Sequence, residues 1–314
     1  MATATMTREQ DQILNEQIFD DLASTDPLRQ KQAAESLDDY TRLRVREESF
    51  MEKIIPFITV TPDDLERQID TDKPVYIVDK EPDSPSAISA PFGSLPKNIW
   101  LRGNRYPVMV DRILTHRFQK DVMELASWKM DIRQVFSDNM IKDMLAEIDG
   151  REMEAVDAGL VGADIVLATS GVAQYKTISG SIDRNSWAEG LKIVPSTPFA
   201  IPVKTCLTSH LTIYDLYKLG MDEMGGQLSE RVFRDGWVEE TLMGRRIIGT
   251  TKQTLVPANH VYYFPDEKFF GKAVETEPTT MYIRREAFIV EAFAYRSCGM
   301  TIGHTGSYGH AVFV

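Results

Sequence analysis

The 314-residue chain contains only two cysteines, Cys206 and Cys298, and only five histidines. The cysteines lie about ninety positions apart, a spacing that suits neither a disulfide framework nor a paired-cysteine metal knuckle. We therefore expect two reduced and buried thiols. The sequence argues against a disulfide-stapled secreted domain.

Long apolar runs and an excess of positive charge are also missing. No run reaches the roughly 18 residues that a membrane span requires, and MATATMTREQDQ lacks the apolar stretch of a secretory signal. We expect a protein that stays in the cytoplasm where it is made and contacts no membrane. The net charge of −12 repels phosphate backbones, which excludes generic DNA binding through a basic face. The cluster Arg42, Arg44 and Arg46 leaves room for a local basic patch.

The sequence contains only parts of a phosphate-binding loop and of a nucleophile elbow. A phosphate-binding loop before Lys176 would need glycine at positions 170 and 175, where Ser170 and Tyr175 stand. A nucleophile elbow around Ser307 would need glycine two positions before it, where Thr305 stands. Neither pattern predicts an active site.

The carboxylates and histidines form no convincing set either. The adjacent acids point to different faces and are predicted to be solvated or interfacial; they are Asp63, Asp64, Glu239 and Glu240. His304 and His310 would be roughly 20 Å apart on a continuous strand, too far to bind one metal. We predict a strand end, a glycine turn and a final strand AVFV there. The remaining histidines are predicted to be surface or satisfied core residues; they are His116, His210 and His260. No catalytic, cofactor-binding or metal-binding residue is therefore predicted.

The N-terminal fifty residues predict two helices. Thr7 and Gln10 have capping-box spacing ahead of an apolar stripe that runs to Leu22. A second helix is expected from Asp26, followed by Pro27 at the first helical position, toward Phe50. Such an arm has too little core to fold alone, so we expect it to lie on another surface.

Residues 61–118 predict a long hairpin. Strand-like ends at residues 75–78 and 106–113 flank a segment rich in Pro, Ser and Gly. A tip of this length with so few core residues is expected to be disordered or held by a partner. Replacement of Pro91 or Gly103 is predicted to leave the subunit folded.

The strongest local pattern spans residues 131–160. Apolar side chains recur there along one helical face, with Asp138–Lys142 and Glu147–Arg151 as pairs on the other side. The apolar face comprises Ile132, Val135, Phe136, Met140, Met144, Ile148, Val156 and Leu160. Gly150 costs about 1 kcal/mol without ending the helix. Met144→Asp is predicted to prevent folding because it places an unpaired charge on that face.

The rest of the chain alternates short elements. ADIVLATSG predicts a strand, SWAEGLKIV a short helix, and residues 208–220 a helix with Thr212 near its start. Strands are expected in RRIIGTTKQTLV, HVYYF, TMYIRREAFIVEAFAYRS and HAVFV. Segregated helices and strands of this kind indicate the α+β class.

The order of these parts resembles the major capsid proteins of tailed double-stranded DNA phages, which have the Hong Kong 97 fold. The stretches that carry the resemblance are DTDKPVYIVDKEPDSPSAISAPFG, WKMDIRQVFSDNMIKDMLAEID, VPANHVYYFPDEKFFGKAV and TTMYIRREAFIVEAFAYRSCGMTIGHTGSYGHAVFV. The likeness covers nearly the whole chain but includes no short invariant motif. It implies an N-arm (1–60), an extended E-loop hairpin (61–117), a P-domain with spine helix 131–160 (118–199), an A-domain (200–275) and returning P-domain strands (276–314).

The resemblance also implies a structural function without enzymatic activity. Copies of the chain would assemble as hexamers and pentamers into an icosahedral head shell, in the virion, after assembly in the host cytoplasm. Expected partners are a separate scaffolding protein, a portal, in some phages a decoration protein, and packaged DNA held without specific binding. Only about sixty residues precede the loop, so proteolytic processing is in doubt. Lys80 and Lys97 are expected to be solvated, not crosslinked. Replacement of Pro91 or Gly103 is expected to impair shell maturation.

Two alternatives remain. An encapsulin-like nanocompartment shell protein would share the fold, although the acidic arm and extended loop favour a virus. A metal-assisted cytosolic hydrolase would use His304, His310 and a carboxylate, and it would require a tight turn between the two histidines.

Overall fold

The computed structural model describes residues 47–68, 72–82, 89, 91–93, 95, 100, 103–126, 132–168, 174–180, 182–216 and 241–314. The two helices predicted before Phe50 lie outside these ranges except for residues 47–50, as does the arginine cluster at 42–46. The predicted hairpin tip is described only in part. All structural statements below concern the described residues.

Helices and strands are mixed along the chain. The helices are α1 (Met51–Ile54), α2 (Val122–Ala126), α3 (Ile132–Ala168), α4 (Arg184–Leu191), α5 (His210–Leu216) and α6 (Glu267–Phe270). The strands are β1 (Phe57–Thr59), β2 (Glu66–Arg67), β3 (Pro74–Lys80), β4 (Asn104–Met109), β5 (Asp111–Leu114), β6 (Phe118–Asp121), β7 (Tyr175–Ile178), β8 (Thr205–Ser209), β9 (Thr241–Leu242), β10 (Arg245–Thr250), β11 (His260–Phe264), β12 (Gly271–Glu286), β13 (Ile289–Ile302) and β14 (Gly309–Phe313). None of these helices carries an apolar stretch long enough to cross a bilayer.

The strands form three sheets within the described ranges. One sheet has the order β1-β12-β13-β5, and β6 also pairs with β13. A six-stranded sheet has the order β7-β14-β11-β8-β10-β9, and a three-stranded sheet has the order β2-β3-β4. Parallel and antiparallel neighbours both occur, since β8 pairs with β10 in parallel and with β11 in antiparallel orientation. The predicted α+β class is confirmed.

The chain forms two compact units that share the long elements. One unit contains residues 112–148 and 277–297, and the other contains 50–111, 149–276 and 298–314. In the first unit, Met140 of α3 packs against Ala292 and Ala294 of β13. Since Ala292 and Ala294 are two positions apart, they lie on the same face of the strand.

The second unit is built around the six-stranded sheet, which is buried on both faces. Consecutive side chains point to opposite sides, as the strand period requires. Cys206, Ile247 and Tyr263 join the cluster that contains Trp187 of α4 and Leu216 of α5. Leu207, Ile248 and Tyr262 join the cluster that contains the α3 side chains Met153, Val156 and Leu160. Helices therefore cover the sheet on both sides.

The α1 segment is fixed to this core by a buried carboxylate. Asp149 is fully buried on α3 and accepts hydrogen bonds from the backbone N–H groups of Phe50 and Met51, each at 3.3 Å. Its charge is balanced by the ammonium group of Lys252. Lys252 also lies over the Phe50 ring, 5.3 Å from its centroid. A buried ion must be paired and hydrogen-bonded to be tolerated, and Asp149 is both.

The long helix is confirmed, but two details of its prediction are wrong. It continues to Ala168, so the predicted strand ADIVLATSG is helical as far as it is described. A short apolar run does not distinguish strand from helix, and extending an existing helix needs no new nucleus. Arg151 pairs with Asp111 at 3.1 Å instead of with the predicted Glu147. An exposed ion pair within one helix stabilises the protein by only a few tenths of a kcal/mol. Arg151 therefore pairs with the carboxylate that strand β5 places beside the helix.

The buried face of the helix agrees with the prediction wherever side chains are described. Five predicted members are buried: Met140, Met144, Ile148, Val156 and Leu160. The side chains of Ile132, Val135 and Phe136 lie outside the description. Gly150 lies within the helix, as predicted.

Other elements differ from prediction mainly at their ends. The helix predicted over SWAEGLKIV spans Arg184–Leu191, where Asp183 caps its first turn. The helix predicted over residues 208–220 begins only at His210, because Thr208 and Ser209 end strand β8. The predicted strand over residues 106–113 is interrupted at Val110, whose N–H donates to the Pro74 carbonyl, while the chain beyond joins another sheet.

Candidate functional site

The predicted hairpin is confirmed as strands β3 and β4. They pair antiparallel from Val75 opposite Met109 to Lys80 opposite Asn104. Near its base Val108 is fully buried and packs with Val60, Val110 and Val274. The hairpin is thus rooted in an apolar cluster, and Lys80 lies exposed at the outer end of β3.

Charged groups hold the start of the hairpin beside the long helix. The Asp111 carboxylate accepts from Lys73 at 3.0 Å and from Arg151 at 3.1 Å. The hydrogen bond from Lys73 is the main reason that the pKa of Asp111 lies below its ordinary value. Because these groups are partly exposed, the pairs orient the hairpin more than they stabilise the subunit.

The segment that joins the two strands exposes its large apolar side chains. Phe92, Leu95 and Trp100 are each at least 92% exposed. Single exposed apolar residues are common, but here three bulky ones lie in one connecting segment. That this tip is disordered or held by a partner stays a prediction from the sequence.

The fold around His304 and His310 determines what these two histidines contact. His304 follows β13, and its Nδ1 accepts a hydrogen bond from the Gly306 N–H at 3.1 Å. The edge of its ring contacts Phe199, with ring centroids 4.2 Å apart. His310 lies inside β14. The predicted strand end, turn and final strand are therefore confirmed.

His310 belongs to a polar cluster that the sequence did not reveal. Its Nε2 lies 3.0 Å from Nδ1 of His260, and its ring stacks on Tyr262 at 4.1 Å between centroids. Tyr262 donates to Asp157 of α3 at 3.1 Å, and Tyr175 contacts His310 edge-on. We call these five residues the His310 cluster.

Burial controls ionisation in the His310 cluster. Desolvation, with a smaller contribution from His260, lowers the pKa of His310 to about 3. Desolvation also lowers the pKa of His260 and raises that of Asp157. Both histidines are therefore neutral near pH 7, and one ring can donate the single hydrogen between them. The strands HVYYF and GHAVF pair antiparallel and place Tyr262 opposite His310. A prediction of this pairing would have identified the cluster.

Several other residues singled out in the sequence have structural partners. Lys176 pairs with Glu189 at 3.1 Å, and the buried Ser307 donates to the His304 carbonyl. Asp64 accepts from Thr61 at the start of a short turn. Lys97, Glu239 and Glu240 lie outside the described residues. Both cysteines are buried and neither forms a disulfide, as predicted. Across the described ranges, no group of three or more His, Cys, Asp or Glu side chains would hold a metal ion.

These features describe a subunit with an α+β body, a rooted hairpin and an exposed apolar tip. No family model matches the sequence, and no curated protein matches it. Solved structures match the fold.

A structure from Microbacterium phage Oxtober96 aligns with 88% of this chain and 94% of its own, at a TM-score of 0.63 and 12% identity. The mature capsid of bacteriophage PhiM1 aligns with 88% of this chain and 90% of its own, at a TM-score of 0.57 and 9% identity. The capsid of Cyanophage P-SCSP1u aligns with 91% of this chain and 94% of its own, at a TM-score of 0.58 and 9% identity. The chain has the fold of phage capsid proteins of the Hong Kong 97 type, as the resemblance implied.

Proposed function

We propose that this protein is the major capsid protein of a tailed double-stranded DNA phage. Its copies assemble as hexamers and pentamers into the icosahedral head shell. The observation that carries the proposal is the fold match, which extends over 88% of this chain and 94% of the Oxtober96 chain.

The hairpin supplies the second support. Exposure of Phe92, Leu95 and Trp100 to water does not stabilise a monomer. Aromatic side chains are enriched in the cores of protein interfaces. We propose that this segment contacts a neighbouring copy. The contact would be made only on assembly, so the subunit folds without it.

The domain boundaries follow the same proposal. Residues 1–60 form the N-arm, 61–117 the E-loop, 118–199 the spine-bearing part of the P-domain, 200–275 the A-domain, and 276–314 the returning P-domain strands. The A-domain lies at the centre of the rings. One repeated set of interfaces then builds a closed shell.

The proposed location is the virion, after assembly in the host cytoplasm. Proposed partners are other copies of the chain, a separate scaffolding protein, the portal and, where the phage has one, a decoration protein. The net charge of −12 supports an inner wall to which packaged DNA does not adhere. The protein acts without a catalytic residue, a cofactor or a metal.

Electron microscopy of the full chain tests the proposal directly. The protein is purified alone and after co-expression with the neighbouring phage gene products, and is imaged in negative stain. We expect closed polyhedral particles or rings of five and six subunits. A uniform field of monomers in both preparations would refute the shell function and would make a metal analysis of the purified protein the next measurement.

A further inference from the structure

The hairpin leaves the body of the subunit at one sharply defined point. Strand β4 ends at Met109 and β5 begins at Asp111, so only Val110 separates them. Val110 donates its N–H to the Pro74 carbonyl at 3.1 Å, within the hairpin. Thr115, just beyond β5, donates to the Ala294 carbonyl of β13 at 2.9 Å. The chain therefore passes from one sheet to another within a single residue.

Gly299 lies directly beneath this transition. A Cβ atom on Gly299 would come within 1.8 Å of the Met109 carbonyl oxygen, 2.8 Å of its carbon and 3.3 Å of the Val110 Cα. All three atoms belong to the backbone, so no rotation of a side chain relieves the overlap. Gly299 has no positive φ, and glycine is needed here for space and not for its conformational freedom.

Two further contacts continue along the same side of the chain. Thr301 donates its hydroxyl hydrogen to the Pro107 carbonyl at 3.1 Å. A Cβ on Gly303 would lie 2.9 Å from the ring and hydroxyl of Tyr106. Gly299 and Thr301 are alternate residues of β13, so they point the same way, and Gly303 follows just beyond the end of that strand. These three residues contact Met109, Pro107 and Tyr106, and we call them the hairpin seat.

We propose that the hairpin seat sets the direction in which the hairpin leaves the subunit, and thereby which surface of a neighbouring copy the hairpin reaches. Gly299 determines where the chain turns from β4 into β5, at Met109 and Val110. Gly303 determines how closely Tyr106 of β4 packs against the rest of the subunit. The inference rests on the proposed shell function for its consequence in assembly. The seat itself is a property of the single subunit and is tested there.

Three glycine variants of the full chain test the proposal. Gly299→Ala and Gly303→Ala fill the seat, while Gly103→Ala alters the same hairpin at a position where a Cβ would meet no atom within 4 Å. Hydrogen exchange of the unassembled subunit is followed for peptides over residues 74–80 and 104–110. Peptides over residues 260–264, in the six-stranded sheet, report on the body.

We expect the two seat variants to exchange about tenfold faster or more in the hairpin peptides, with the body peptides unchanged, because only local opening is affected. Gly103→Ala is expected to match the unaltered protein. Tyr106→Leu added to Gly303→Ala removes the ring atoms that the new Cβ meets, and is expected to restore slow exchange. The same change added to Gly299→Ala should not, since that overlap is with backbone.

The proposal would be overturned if the hydrogen-exchange rate of the hairpin peptides were unchanged in Gly299→Ala. It would also be overturned if exchange became faster by the same factor in the hairpin and body peptides, because that indicates a general loss of packing. In the microscope, seat variants with hairpin-only acceleration are expected to give fewer closed particles or particles of altered diameter. Normal particles from such variants would also overturn it. Failure of the unaltered protein to assemble would count against the proposed function alone, because the exchange results do not depend on assembly.

Discussion

Lowering the pH from 7 to 5 is expected to destabilise the subunit through His310. In the folded protein this side chain is 6% exposed, and desolvation together with His260 lowers its pKa to about 3. In the unfolded chain the group has its ordinary pKa of about 6.5. Between these two values the unfolded state binds the proton and the folded state does not, so stability falls as the pH falls.

The size of the effect follows from the two pKa values. A pH of 5 is about 1.5 units below the pKa of the histidine in the unfolded chain. Protonation of the unfolded state therefore lowers the free energy of unfolding by about 2 kcal/mol. For a chain of this length, that is a fall of about 3 °C in Tm. Asp157 acts in the opposite direction, because its raised pKa favours the folded state as the pH falls. The contribution of His310 is therefore isolated by substitution.

Thermal unfolding of the unassembled protein at pH 7 and pH 5 measures this contribution. His310→Gln keeps a polar side chain but removes the titration, so its loss of stability between the two pH values should be about 2 kcal/mol smaller than that of the unaltered protein. His116→Gln replaces an exposed histidine and should behave like the unaltered protein. If His310→Gln and the unaltered protein lose stability equally, the desolvation argument is wrong.

Three further substitutions have defined outcomes. Met144→Asp should abolish soluble protein because it buries an unpaired charge at a site 2% exposed; native-like circular dichroism would contradict this. Gly150→Ala should raise the free energy of unfolding by about 0.5–1 kcal/mol in urea titration, since the new Cβ meets only Leu255 at 3.7 Å; a loss of stability would mean that the helix is strained there. Trp100→Ser should leave Tm within about 1 °C while lowering particle yield, and normal yield would separate the tip from assembly.

Local patterns were sufficient for much of this fold. The period of the apolar residues predicted the long helix and its buried face, and strand-like ends around a Pro-rich segment predicted the hairpin. The closing strand was predicted from AVFV and its preceding glycines. In each case, residues close together in sequence supply the signal, so spacing alone carries the information.

Three differences from the prediction arose where residues distant in sequence decide the outcome. Val110 interrupts the strand predicted over residues 106–113, at a point where the backbone lies against Gly299, far along the chain. His310 acquires its partner His260 only through pairing of β14 with β11. Arg151 of helix α3 pairs with Asp111 of strand β5. Tertiary contacts of this kind have no counterpart in the spacing of one segment.

The position of β14 has a consequence for synthesis. It lies between β7 and β11 in the six-stranded sheet, although β7 precedes it by more than a hundred positions along the chain. When the ribosome has synthesised the other five strands of this sheet, the sheet still lacks the strand that belongs between β7 and β11. A product that stops before Gly309 lacks β14 and leaves the facing edges of β7 and β11 unpaired, and unpaired strand edges of this kind favour aggregation.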